Sequence, residues 1–340
     1  MEKKVRDSQF DNIRGLMILS VVYLHTISKL CRGWPKDPVV SYFYYFLIIF
    51  PIPVLAFMSG YFSKRKTDFG PYMTKALTTC FLPYFIFQIL HTIPNVAWML
   101  DFLKPAWTLW FMLALFFWKI MAEIFLRVKY GLIVALVFAL YAGCASMIGN
   151  YLALSRTICF FPFFLAGVIC QKEGMEKLRN INKLLAIGGM VLVALIPWLI
   201  TSRKLSYKTM FLNVSYKSLK QGMWQGIGLR AIVLIGGFLC ILFFLAIMTR
   251  KKTFLAMLGQ NSITIYLGHS FILVYAKKFG FLQNFKNPML FLPIGLAVAV
   301  VICFLLGNKY VAMGYNWLFG KLGGLLFVQD KPLETSKNGN

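Results

Sequence analysis

The chain has 340 residues, of which 59% are hydrophobic, 17% aromatic and only 14% charged. That apolar share exceeds what one soluble core of this length can hide, so an ordinary soluble domain is excluded. The net charge of +25 would suggest nucleic acid in a soluble protein, but the basic residues gather between apolar runs, as topology signals do. The expected partner is the lipid bilayer, with no nucleic acid.

Taken in chain order, apolar runs fall at about 12–31, 41–62, 76–99, 107–126, 131–149, 152–170, 183–200, 229–249, 260–279 and 289–308. Each is about long enough to cross a ~30 Å hydrocarbon layer. Pro51, Pro53, Pro83 and Pro162 inside them are tolerable, because neighbouring helices satisfy the freed backbone groups. The first run lacks a small-residue cleavage site, so no cleavable signal peptide is expected. With the N-terminus inside, 19 basic residues fall on the inner side and 12 on the outer, which favours both termini inside. The expected fold is an all-α integral membrane protein, a bundle of about ten transmembrane helices forming one domain over 1–340. The segment 310–328 is apolar enough for an eleventh span, but Lys321 and four glycines favour a helix lying in the interface. A polar tail, 329–340, follows on the inner side.

The longest outer connection, Arg203 to Gly226, is basic, aromatic and free of carboxylates, which suits either a solvated loop or a lid over a hydroxyl-rich or acidic acceptor. The seven cysteines include no CxxC and sit mostly in apolar runs, so they read as packing residues, with neither disulfide framework nor metal site.

The first run, FDNIRGLMILSVVYLHTIS, carries Arg14 and His25. A charged side chain at the bilayer centre costs about 2.5–3.5 kcal/mol on insertion scales, so such residues imply partners or function. At about 100° per residue, eleven residues return to within about 20° of whole turns, with a rise of ~16 Å. Arg14 and His25 therefore share a face, and Asp11 is placed to pair with Arg14. This stripe suits an anionic donor that enters at the inner surface and delivers its reactive end deeper. An imidazole near neutrality accepts and returns a proton.

Other intramembrane polar residues are candidates too. Arg156 stands one turn inside the sixth run, able to snorkel outward or to face an oxyanion or acceptor. His269, in the middle of the ninth run, can orient His25 or bind acceptor, with Tyr266 on its side; His91 reads as a core residue. No carboxylate falls at the depth of His25, so its orienting partner is expected to be neutral: Tyr266, Ser28 or His269.

The opening RDSQFDNIRGLMILSVVYLHTI resembles the first helix of acyltransferase family 3, marked by a basic residue, ten residues, then His; Arg14 and His25 fit. FMSGYFSKR, FLPYFIF, WTLWFMLALFFWK, LSRTICFFPFFLAG and LGQNSITIYLGHSFIL follow in register, and the nearest branch resembles fucose 4-O-acetylases. The resemblance implies transfer of an acyl group, usually acetyl from acetyl-CoA, to a hydroxyl of a cell-envelope carbohydrate. Carried over, it makes His25 the catalytic base, with Arg156 and His269 assisting. Arg14 and the basic residues Lys64, Arg65, Lys66 and Lys75 would hold the donor, and Trp110 and Tyr266 would line the acceptor site. It also implies a multi-pass protein of the bacterial inner membrane. Two departures stand out. Many relatives carry His-Met-Pro where this chain has Pro51-Ile52-Pro53, so a helper histidine is missing, and Lys64-Arg65-Lys66 stands where some branches carry an Arg-x-x-Arg. The alternative, a glycan or small-anion transporter, would call for paired halves with matching broken helices, and the sequence shows none.

Overall fold

The computed structural model describes residues 6–31, 34–64, 68–92, 102–146, 149, 151–203, 205–281 and 287–328. Helices are the only regular elements among them. The first five are α1 (Ser8–Leu30), α2 (Pro38–Ile49), α3 (Pro51–Phe62), α4 (Phe69–Ala76) and α5 (Leu82–Thr92). Then come α6 (Trp110–Phe125), α7 (Gly131–Tyr141), α8 (Leu154–Ile169), α9 (Lys172–Arg179) and α10 (Lys183–Ser202). The last five are α11 (Met223–Ile247), α12 (Phe254–Gln260), α13 (Ser262–Lys278), α14 (Phe291–Leu306) and α15 (Lys309–Leu326).

Among the described residues, seven stretches are long and apolar enough to cross a membrane: Ser8–Leu30, Pro38–Phe62, Phe69–His91, Tyr151–Ile169, Lys183–Ser202, Met223–Ile247 and Pro288–Leu306. Helices also stand at the other three expected positions, but α6, α7 and α13 have 16, 11 and 17 residues. Each is shorter than the ~20 residues typical of a crossing, with α13 at the lower end of the range, so seven stretches meet the length requirement among the described residues.

Local chemistry accounts for the differences from the apolar runs. The run 41–62 is two helices meeting at Phe50, because Pro51 and Pro53 have no N–H to return to the preceding turn. The run 76–99 begins earlier, at Phe69, and passes through a π-helical turn at Leu77–Phe81. The run 260–279 is interrupted at Asn261, whose Nδ2 donates to the Gly307 carbonyl at 2.7 Å and ties the break to the end of α14. The run 229–249 starts six residues early, at Met223. Caps at the ends of helices follow the sequence: Asp7, Asp37, Asn182, Thr253 and Asn308 each accept from a first-turn N–H.

α1 is central, packed on α3, α12, α13 and α14. Two pairs of glycines bring backbones together. A Cβ on Gly15 would lie 1.9 Å from the Leu255 carbonyl oxygen, and one on Gly259 would lie 1.9 Å from that of Asp11. The α3–α8 crossing repeats the device: a Cβ on Gly60 would lie 2.0 Å from the oxygen of Phe164, and one on Gly167 would lie 2.0 Å from that of Phe57. In lipid, where helices gain little from hydrophobic association, such close approach is a main source of packing energy. Buried polar residues at the start of α1 add direction. Gln9 donates to the carbonyls of Leu245 and Met248, and Asn12 to those of Thr249 and Lys251, so α1 closes the turn between α11 and α12.

The two ends of the bundle differ. The end where α1 begins also carries the end of α3, α9 and the α11–α12 turn, and is called the N-terminal face. The opposite end is roofed by the 203–222 connection. Tyr216 fixes that roof: its ring fills the space above Gly143 and Gly226, where added Cβ atoms would meet it at 2.4 and 2.2 Å, and its hydroxyl donates to the Leu140 carbonyl at 2.5 Å. Burial pushes its phenol up to about 12, so it stays a donor. This packing ends α7 at Tyr141, well short of the expected 149. Arg230, 2% exposed, adds hydrogen bonds to the carbonyls of Ala139 and Val214, both at 3.2 Å.

Candidate active site

Beneath the roof is a cavity of about 450 Å³ whose lining includes His25, Trp107, Trp110, Arg156, Lys208 and Tyr266. His25 comes from α1, ~25 Å along the axis from Ser8 and only ~8 Å from Leu30. It therefore lies nearer the roofed end than the middle of the helix.

His25 meets its partner from α13. Its Nδ1 lies 3.0 Å from Nε2 of His269, with the ring planes within 3°. The centroids are 5.2 Å apart, much farther than the nitrogens, so the rings meet edge to edge in one plane. The other nitrogen of His269, Nδ1, lies 3.0 Å from the Ile265 carbonyl oxygen, which can only accept. His269 therefore carries its proton on Nδ1, and its Nε2 accepts. That makes His25 Nδ1 the donor and leaves the lone pair of His25 Nε2 without a protein partner among the described residues. The backbone carbonyl thus fixes, through two rings, which nitrogen of His25 is basic. His91 lies alongside, its Nε2 2.9 Å from Ser270 Oγ, so all three histidines of the chain converge on α13.

Strained backbone surrounds the cavity. Trp107 (φ 35°) precedes α6, Leu152 and Ala153 (φ 49° and 52°) precede α8, and Leu212 (φ 54°) lies in the roof. Left-handed non-glycine residues cost of order 1–3 kcal/mol each and tend to cluster at functional sites. Here they set three walls. The Trp107 ring packs 4.9 Å from that of His25 and has the Lys29 ammonium 3.8 Å above it. Arg156, in the first turn of α8, lies 4.9 Å over the Trp110 ring. Tyr266 donates to the Thr108 carbonyl and packs its ring 5.8 Å from that of His269.

The structure thus brings together His25, His269, Arg156, Trp110 and Tyr266, and places Arg14, Lys64 and Lys75 at the N-terminal face. Asp11 is 4.0 Å from Arg14, but its closer partners are Arg6, at 2.6 and 2.8 Å, and Gln260 at 3.1 Å. Arg14 instead lies 4.3 Å over the Phe62 ring. Lys64 donates to the Cys170 carbonyl, and Lys75 is exposed on α4. Arg65 and Lys66 lie outside the described residues. Pro51 and Ile52, which stand where relatives carry a helper histidine, line the cavity, so that wall is apolar here.

Sequence reasoning missed Lys119, Trp107, Lys29 and Arg230. Lys119 donates to Ser63 Oγ at 3.0 Å, joining Arg14 and Lys64 at the end of α3. A lysine inside an apolar run carries the same signal as His25 and was there to be read. Trp107 and Lys29 have no signal of their own, since their importance comes from lying beside His25.

A helical membrane bundle holding a histidine pair beside a roofed cavity defines a class, the multi-pass membrane protein with a polar site inside its bundle. A family model described as an acyltransferase domain matches residues 7–308, from the start of α1 to the end of α14. The chain belongs to acyltransferase family 3 and is an acyltransferase. No curated protein and no solved structure matches it.

Proposed function

We propose that this acyltransferase moves an acyl group, acetyl in the first instance, from acyl-CoA to a hydroxyl of a cell-envelope carbohydrate, with His25 as general base. The observation that carries the reading is the chain from the Ile265 carbonyl through His269 to Nδ1 of His25, a residue that lines the roofed cavity. The acceptor hydroxyl gives its proton to His25 Nε2 as its oxygen attacks the thioester carbonyl. A hydroxyl is too weak an acid to ionise beforehand, so this transfer belongs to the transition state. The carbon–sulfur bond then breaks, and the proton returns from His25 to the departing thiolate, giving the ester and CoA. His269 takes up part of the positive charge on His25 through their shared hydrogen bond. Arg156 supplies fixed positive charge at the wall while the tetrahedral oxyanion exists.

The donor's phosphates belong at the N-terminal face, with Arg14, Lys64 and Lys119. That face is ~16 Å along α1 from His25, a distance an extended pantetheine arm spans. With the N-terminal face in the cytoplasm of a bacterial inner membrane, as the loop charges favour, donor and acceptor arrive from opposite sides. The test is CoA release from acetyl-CoA by detergent-purified protein given a mixture of envelope glycans, wild type against His25→Ala. The expected result is turnover in the wild type and its loss, by about 10²–10⁴-fold, in the variant. Equal activity in His25→Ala overturns the assignment.

A further inference from the structure

The cavity does not end at Arg156. A second compartment of about 310 Å³ adjoins it, sharing Trp107, Trp110, Arg156 and Asn213, and has Lys104 on its wall. Among the described residues no carboxylate lines either compartment. Lys208 reaches the first from the roof and makes no side-chain ion pair among the described residues. Arg156, at the seam, lies 4.9 Å over the Trp110 ring and makes no side-chain hydrogen bond or ion pair among the described residues. Arg156 is half-buried, and a guanidinium with reduced access to water and no counter-ion gains from a ligand that supplies the charge.

The local backbone has the same sign. α6 begins at Trp110 and α8 just after Ala153, both on the wall of the second compartment, and neither N-terminus has a side-chain cap. Their dipoles add positive potential there, while the first-turn N–H groups of α6 already bond the Thr108 and Leu109 carbonyls. Ester formation develops a single negative charge, at the thioester carbonyl. Arg156, Lys208 and two helix N-termini exceed what that one transient charge requires. Trp107 and Trp110 line both compartments, aromatic surface of the kind that packs against the C–H groups of sugar rings.

We infer that the acceptor is an acidic glycan, one that carries a carboxylate or phosphodiester close to the hydroxyl to be acylated, with that anion held in the second compartment by Arg156. The hydroxyl-bearing sugar lies in the first compartment against His25, and the charged neighbour lies in the second compartment against Arg156. Lys208 draws the chain in from the roof side. This rests on the proposed acyl transfer only for the identity of the acceptor; the preference for anionic sugar is a property of the site itself.

The test therefore omits the donor. Equilibrium binding to purified protein is measured for fluorescent tetragalacturonate, for its carboxyl-reduced neutral counterpart, and for a glycerol-phosphate oligomer of similar length. At least one anionic probe is expected to bind about tenfold or more tightly than the neutral one, and to weaken as salt rises from about 0.05 to about 0.5 M. Which anionic probe binds better tells carboxylate from phosphodiester. Arg156→Gln is expected to lose about tenfold or more for that probe, with little change for the neutral one. Lys208→Gln, an exposed change that leaves the bundle intact, is expected to lose a few-fold, chiefly in association rate. Equal binding of neutral and anionic probes, no binding of either anionic probe, or a preference unchanged in both variants overturns the inference. If Arg156 serves only the oxyanion, its variant loses turnover and keeps the binding preference. A protein that prefers acidic sugar yet never consumes thioester would sink acyl transfer and leave the binding preference standing.

Discussion

His269 holds His25 through one in-plane hydrogen bond of 3.0 Å, and is itself held by a backbone carbonyl that no side-chain substitution removes. This orders the consequences of mutation. His269→Ala leaves the base in place but frees its tautomer and ring orientation, and kcat is expected to fall about 10–100-fold, the usual scale for an orienting partner. His25→Ala should cost more, and the double variant no more than His25→Ala alone, because the two act as one unit. CoA release by the three variants, with KM for acyl-CoA measured alongside, checks this. A double variant far below the single one would mean that His269 has a separate task.

The pairing of His25 with His269 shows where sequence reading stops. The apolar runs locate every long helix, because length and composition are properties of a segment alone. Arg14 and His25 are legible as one stripe because eleven residues on a single helix have a fixed geometry. The histidine contact joins residues 244 apart, and no periodicity sets the rotation of α13 against α1. That rotation is decided by Gly15 and Gly259, by Asn261 on Gly307, and by Thr264 on Leu306, none of which announces its partner in the sequence. Arg230 is hidden for a similar reason. It stands near the start of a run, where an arginine ordinarily snorkels, and only the folded roof turns it inward.

The glycine crossings should be intolerant in proportion to what an added Cβ meets. Gly60→Leu and Gly259→Val drive side chains into backbone that cannot move aside, and a loss of about 2 kcal/mol or more is expected. Gly314, inside α15 with nothing within 4 Å of an added Cβ, is the control. Gly314→Ala should be neutral or gain up to about 1 kcal/mol from helix propensity. Thermal unfolding in detergent, followed by helical circular dichroism, ranks the three. If Gly60→Leu melts with the wild type, the α3–α8 contact is not close in solution.

The roof is fastened chiefly by Tyr216, so graded loss there should separate roof closure from bundle stability. Tyr216→Phe removes only the hydroxyl bond to the Leu140 carbonyl, worth about 0.5–1.5 kcal/mol. Tyr216→Ala also empties the space between Gly143 and Gly226, at about 3–5 kcal/mol. The expected readout is faster protease cleavage within 203–222 in the alanine variant, while the remaining bundle resists. Uniform digestion of the whole chain would mean that the roof and the bundle unfold together.

Lys119 offers a test of the donor route that leaves the chemistry untouched. Its ammonium lies 3.0 Å from Ser63 Oγ and 5.2 Å over the Tyr72 ring, at the end of α3 where Arg14 and Lys64 also sit. It is far along the bundle from His25. If these cations hold the phosphates of CoA, Lys119→Met removes binding shared by ground and transition states. KM for acyl-CoA should then rise about tenfold or more, with kcat nearly unchanged. Raising salt should weaken donor binding in the wild type more than in the variant, since one fewer charge remains to be screened. The competing reading is that Lys119 merely neutralises the C-terminal end of α3, where cations are favourable on dipole grounds alone. In that case Lys119→Met lowers the melting temperature and leaves KM where it was, and a pair of measurements on one variant decides between the two.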